Sequence, residues 1–175
     1  MSITAKDVNE LRKKTGAGMM DCKKALTESN GNMEDAIDFL RKKGQKIAAK
    51  RGDRDAKEGL VVAKSNKNTG YLICLNCETD FVAKNDDFSK LANYFIELAL
   101  ESNSDSLEDF LKLNYQDSGL SILEKITEQS GVIGEKIEIS FFDKIVSEKV
   151  VAYNHPGNQI ASLVGLTMDA EDIGK

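Results

Sequence analysis

Few stretches of this chain carry side chains whose types and spacing suit them to act on something else, and the most informative is Thr79-Asp80-Phe81-Val82-Ala83-Lys84-Asn85. It follows a strand-like run, Gly70 to Glu78, and precedes a helix-like one. An Asp beside a large apolar Phe at such a junction is an awkward surface, since burial strands the carboxylate and exposure wastes the ring. A partner that takes both side chains at once removes the conflict. Cys74-Leu75-Asn76-Cys77 has the C-x-x-C form, but it lies inside the strand-like run. Residues three apart on a strand point to opposite faces, so these thiols do not converge on zinc, and no second pair completes four ligands. His155 has no serine or cysteine placed as a partner in sequence, which makes a turn or interface role the better reading. Gly16-Ala17-Gly18 runs into Met-Met-Asp rather than a phosphate-binding pattern. The expectation is a chain with no catalytic residues, no metal, no cofactor and no nucleotide site of its own, and hence no enzyme.

Composition supports a binding role. The chain has 175 residues and 41% hydrophobic content, enough for one large folded domain or two small ones. One His, one Pro and no Trp leave it poor in the usual catalytic and metal-binding side chains, and three cysteines argue against a secreted disulfide framework. With no apolar run long enough for a bilayer and no basic-then-apolar leader, the sequence reads as cytosolic, with no membrane partner. Charge is unevenly divided. Through Lys57, 14 Lys plus Arg stand against 9 Asp plus Glu, a net of +5; the remainder has 10 against 20, a net of −10. A basic head on an acidic body suggests two modules, and a solvated surface is the simpler account of the head's charge than nucleic-acid binding.

The elements that must position these residues follow from periodicity. Residues 1–43 read as three short helices. Thr4 caps the first, with Val8 and Leu11 on one face; Gly16 to Gly18 breaks it. The second carries Cys22, Ala25 and Leu26, and the third has Met33, Ala36, Ile37 and Leu40 as its stripe, with Gly44 closing it. Met19 and Met20 sit at the joint between the first two, where two adjacent side chains cannot both face a small core. Residues 44–57 read as a basic linker holding at most a last helical turn. Residues 58–175 read as α+β. A hairpin of 58–64 and 70–78 is followed by a helix capped by Asp86 or Asp87 and running to Leu100. Shorter helices are expected over 107–113 and 120–129, the latter with Ile122, Leu123 and Ile126 inward. Strands over 136–142, 149–153 and 161–167 complete the set, the last two flanking His155-Pro156-Gly157-Asn158. The order favours an antiparallel sheet with helices packed on one face, behind the helical head.

Leu11-Arg12 with Thr15-Gly16-Ala17-Gly18-Met19-Met20-Asp21-Cys22-Lys23-Lys24-Ala25-Leu26 closely resembles the N-terminal signature of the bacterial elongation factor Ts family, and Thr79 to Lys84 matches its second signature without a change. Ile133-Gly134-Glu135 and Tyr153-Asn154-His155-Pro156-Gly157 look like further landmarks in order, so the resemblance covers essentially the whole chain. It implies a ubiquitin-associated-like three-helix head, a linker and a core domain. It also implies a guanine nucleotide exchange factor that binds elongation factor Tu, both GDP-bound and nucleotide-free, and promotes GDP release so that GTP can load. By the same resemblance Arg12, Met19, Met20 and Lys23 touch the partner's nucleotide-binding domain. Thr79, Asp80, Phe81 and Val82 dislodge its Mg²⁺, Ile133 and Gly134 form a further contact, and His155 meets its other domains.

Two departures stand out. Asn158-Gln159-Ile160-Ala161 lies where the family often has an Arg-Ile-Gly run, so Gln159 replaces the common Arg. Leu166 to Lys175 reads as a strand and the capped opening of another helix, where family members continue into a second half of the core. The chain reads either as a natural short form or as a fragment, with oligomeric state left open. The alternatives from other classes are a free ubiquitin-associated-type binding module, which leaves Asp80-Phe81 without a role, and an RNA-binding protein using residues 41–57, whose affinity would depend strongly on salt and ignore Phe81→Ala.

Overall fold

The first helix begins where Thr4 and Asp7 satisfy each other. The Thr4 hydroxyl accepts from the Asp7 amide and the Asp7 carboxylate from the Thr4 amide, which starts α1 (Ala5–Thr15). Gly16, in the left-handed conformation, ends it. After Ala17-Gly18, α2 (Met19–Glu28) starts without a side-chain cap, and Asn32 caps α3 (Met33–Arg51) through the amides of Glu34 and Asp35. Leu11, Cys22, Ala25, Leu26 and Ala36 form the buried centre, with Val8, Met33, Ile37 and Leu40 packed around it. The helical stripes read from the sequence therefore meet as expected. Gly44 does not end α3, which continues to Arg51 and absorbs the first half of the expected linker. The reason is tertiary: Gly44 is buried where the backbone of Gly131 comes close.

The computed structural model describes residues 3–168. The chain falls into two units: the described residues up to Asp53 together with Lys125–Glu135, and those from Arg54 to Glu124 and from Lys136 on. The second unit is built on an antiparallel sheet of order β1-β2-β5, made by β1 (Glu58–Ser65), β2 (Thr69–Cys77) and β5 (Glu138–Val146). Leu60 pairs with Leu75 and Val62 with Ile73, so alternate residues put one apolar face toward the helices. On that face lies α5 (Asp86–Ser102), burying Phe88, Leu91, Ala92, Phe95, Ile96 and Ala99. Its cap is Asn85 rather than Asp86 or Asp87: the Asn85 side chain accepts from the Asp87 amide, which leaves both acids in the first turn, where their charge suits the helix dipole.

The one-turn helix α4 (Asp80–Ala83) connects β2 to α5, and α6 (Leu107–Lys112) follows α5. Phe110 of α6 stacks on Phe142 at 5.1 Å between ring centroids and meets Phe95 edge-on at 6.1 Å, closing the core between helix and sheet. Two short strands, β3 (Asn114–Tyr115) and β4 (Leu120–Ser121), pair before α7 (Ile122–Ile133). A reciprocal Ser121–Glu124 cap starts α7 two residues later than the periodicity predicts. Ile122 and Ile126 are inward as expected, but Leu123 is 53% exposed, because the helix phase set by that cap turns it outward. The last ladder, β6 (Lys149–Asn154) with β7 (Ala161–Leu166), packs on the other face of the sheet at Gly70, where a Cβ would lie 2.7 Å from Val150 Cγ1. The molecule is thus α+β, a helical N-terminal region followed by antiparallel sheet with helices. The expected helix opening beyond Met168 lies outside the described residues.

Candidate functional site

Thr79 to Val82 are shaped by what holds both ends of a single helical turn. Cys77, the last residue of β2, is buried, and its thiol donates to the Thr79 carbonyl at 3.2 Å. Thr79 is extended and hands its carbonyl to the Ala83 amide. Ala83 is buried at the base of the turn, while Phe81, on the opposite side, is 84% exposed. A four-residue helix cannot stabilise itself. Its anchors are Ala83 beneath it and the Asn85 cap of α5 just after it. The awkward pair foreseen in the sequence is resolved by leaving the ring in water.

Asp80 is ionised and paired. Its Oδ2 accepts from Lys84 Nζ at 2.7 Å, and that hydrogen bond, reinforced by the charge of the lysine, holds the carboxyl below the usual carboxylate range. The same contact raises the Lys84 ammonium above its ordinary value. Lys84 was not singled out as a site residue in the sequence; its spacing of four from Asp80 was the available signal. Asp80 and Lys84 line one side of a cleft of about 550 Å³, and Gly157, Asn158 and Gln159 line another. The loop on that second side contains the expected turn: Asn158 N donates to His155 O at 2.9 Å, with Pro156 second and Gly157 third at φ 92°, the arrangement a type II turn requires. His155 is exposed, and its Nδ1 meets the Tyr153 hydroxyl at 3.0 Å.

In the helical unit Met19 is 55% and Met20 76% exposed, so neither faces the core and both lie on the surface. They occupy the first turn of α2 because Cys22, Ala25 and Leu26 already fill the buried stripe of that helix. Arg12 and Lys23 are exposed beside this joint in sequence. Asp21 pairs with Lys43 of α3. Ile133 and Gly134 belong to the same unit: Ile133 is the last residue of α7 and half-buried, and Gly134 leaves the helix at φ 81° with its amide donating to Ser130 O. The residues expected from the resemblance therefore divide into Arg12, Met19, Met20, Lys23, Ile133 and Gly134 in one unit, and Thr79 to Val82 with His155 in the other.

Cys74 and Cys77 lie on opposite faces of β2: Cys77 is in the core with Ile73 and Leu75, and Cys74 is half-buried on the other face. Burial pushes the Cys74 and Cys22 thiols up, which favours the neutral, unreactive form. Among the described residues no group of three or more His, Cys, Asp or Glu side chains is placed to hold a metal ion, and no helix is long and apolar enough to cross a membrane. The arrangement presents an exposed apolar tip at Phe81 beside the paired charges of Asp80 and Lys84.

The family model for elongation factor Ts matches residues 78–175, more than half of the chain. Elongation factor Ts of Christiangramia forsetii is 58% identical over 171 residues, which cover 97% of this chain and 61% of that protein. Those of Amoebophilus asiaticus and Rhodopirellula baltica are 51% and 46% identical, over 95% and 98% of this chain and 60% and 52% of theirs. The chain thus spans between about half and three-fifths of the length of these curated relatives. With the two signatures in their expected order, this match means that the chain belongs to the elongation factor Ts family.

Proposed function

We propose that this chain is a guanine nucleotide exchange factor for elongation factor Tu, acting at the partner's Mg²⁺ and phosphate site. The observation that carries the reading is Phe81, 84% exposed on a braced helical turn beside an ionised Asp80, inside the family's second signature. A bound GDP is held by backbone amides around its phosphates and by Mg²⁺ bridging phosphate and protein oxygens. Mg²⁺ demands near-octahedral geometry, so a small displacement of its surroundings weakens it. Phe81 is the wedge: burying its ring in the partner supplies about 1.5–3 kcal/mol to hold a shifted form. Asp80 disturbs the hydrogen bonds that organise the metal's water shell. Its pairing with Lys84 cancels most of its charge, which fits displacement better than electrostatic capture of the metal. Met19, Met20, Arg12 and Lys23 provide the docking contact of the helical unit, with Ile133, Gly134 and His155 as further contacts. No covalent step is asked of this chain. By linkage, a factor that weakens GDP is itself weakened by GDP, so reloading expels it.

The test is the release of a fluorescent GDP from preloaded elongation factor Tu, with and without this chain. The expected result is faster release at micromolar factor. Unchanged release at that concentration defeats the exchange reading for this chain.

A further inference from the structure

Strand β1 is the edge of its sheet, and its outward backbone groups are covered by side chains and turn backbone instead of a fourth strand. Residues 59, 61 and 63 point their amides and carbonyls away from β2, as every second residue of an antiparallel edge must. The Asn154 carboxamide meets Ala63 with both its ends: Oδ1 accepts from Ala63 N at 2.7 Å, and Nδ2 donates to Ala63 O at 2.8 Å. One side chain thereby makes the two bonds that a paired strand residue would make. Val61 N donates to Asn158 O at 2.7 Å, and Gln159 Nε2 donates to Gly59 O at 3.1 Å. A replacement at Gly59 could not keep this geometry, because a Cβ there would lie 2.2 Å from Leu75 O.

These bonds bracket the His155 turn on both sides, at Asn154 before it and at Asn158 and Gln159 after it. An exposed edge strand is a liability that proteins cover, and the covering here also fixes a loop. We propose that Asn154 is a positioning residue, with Gln159 as its auxiliary, that clamps the His155 turn to β1 and so sets the wall of the cleft facing Asp80 and Lys84. This rests on the exchange reading above. A partner that meets His155 and Asp80 together then finds both already placed, and the ordering cost is paid in folding rather than in binding. Gln159 acts through its neutral amide at a carbonyl, a task that needs a donor and no charge.

Two independent measurements test the proposal. In the chain alone, Asn154→Leu should speed hydrogen exchange at the Ala63 and Val61 amides at least tenfold while leaving amides of α2 unchanged. Gln159→Leu, at an exposed side chain, should speed Val61 exchange by a smaller factor. In GDP release from elongation factor Tu, both variants should raise the factor concentration for half-maximal effect, Asn154→Leu at least fivefold, with the maximal rate kept within twofold. Asn154→Asp, which keeps the acceptor for Ala63 N, should fall between wild type and Asn154→Leu. Unchanged amide protection in Asn154→Leu, or a loss of maximal rate without a change in half-maximal concentration, overturns the clamp. Failure of the unaltered chain to accelerate release overturns the exchange reading instead, and the amide-exchange arm still decides whether the clamp exists.

Discussion

Gly131 of α7 lies against Gly44 of α3 so closely that a Cβ added to Gly131 would sit 2.1 Å from the Gly44 Cα. The converse is gentler: a Cβ on Gly44 would meet the Gly131 Cα at 3.5 Å, an ordinary contact. The two helices cross backbone to backbone there, and the crossing brings the segment ending in Ile133 and Gly134 into the unit that carries Met19 and Met20. The asymmetry predicts opposite outcomes for one chemical change. Gly131→Ala forces backbone apart and should destabilise this unit by about 1–3 kcal/mol, more than the roughly 1 kcal/mol that alanine gains in a helix. Gly44→Ala should be neutral or stabilising by up to about 1 kcal/mol. Denaturant unfolding followed by far-ultraviolet circular dichroism checks both, and equal effects of the two variants would remove the asymmetry.

Phe81 and Met20 should divide the work between rate and association. Both side chains are mostly in water, so alanine at either position should leave unfolding midpoints within about 0.5 kcal/mol of wild type. Phe81→Ala removes the wedge and should lower the maximal GDP release rate roughly tenfold to a hundredfold, the equivalent of about 1.5–3 kcal/mol. Met20→Ala should chiefly raise the concentration needed for half-maximal release. A Phe81→Ala protein with an unchanged maximal rate removes the wedge mechanism and leaves the family membership intact.

The Asp80–Lys84 pair should be silent across ordinary pH. Asp80 is held below the usual carboxylate range, so its favourable interaction is present above that range and lost as pH falls through the lowered value. Lys84 is raised, so its share is present at and below neutrality and lost as pH rises through the raised value. Both groups are therefore charged from about pH 5 to 9, and the pair adds no slope to release rate in that window. Lys84→Met should move the Asp80 titration up toward the ordinary carboxylate value, as read by carboxyl carbon shifts in nuclear magnetic resonance. Stability should scarcely change, as for most exposed ion pairs. An unmoved Asp80 midpoint would show that Lys84 does not hold it.

Much of this was legible along the chain. The β-like runs 58–64 and 70–78, joined by the turn-rich Ser65 to Thr69, announced the hairpin, because two such runs on either side of a short turn pair with each other. Thr4 announced its helix, since its side chain is adjacent in sequence to the amide it satisfies. The signature around Asp80 and Phe81 was readable for the same reason: it is local. Gly44 misled, since a glycine after an apolar stripe carries the signal of a helix end, and only a neighbour 87 residues on turns it into a packing point.

Sequence alone determined the main helices and strands, the α+β order, the two family signatures and the apolar and charged character of the candidate site, though not the α4 turn or the β3–β4 pair. Tertiary structure decided that α3 runs to Arg51, that Leu123 faces out, that Phe81 stands in water while Ala83 anchors its turn, and that Asn154 caps the edge of β1. The physical reason is range. Caps, turns and periodicity act within a few residues, whereas a close backbone crossing or a side chain completing a distant strand edge depends on which segments the fold brings together.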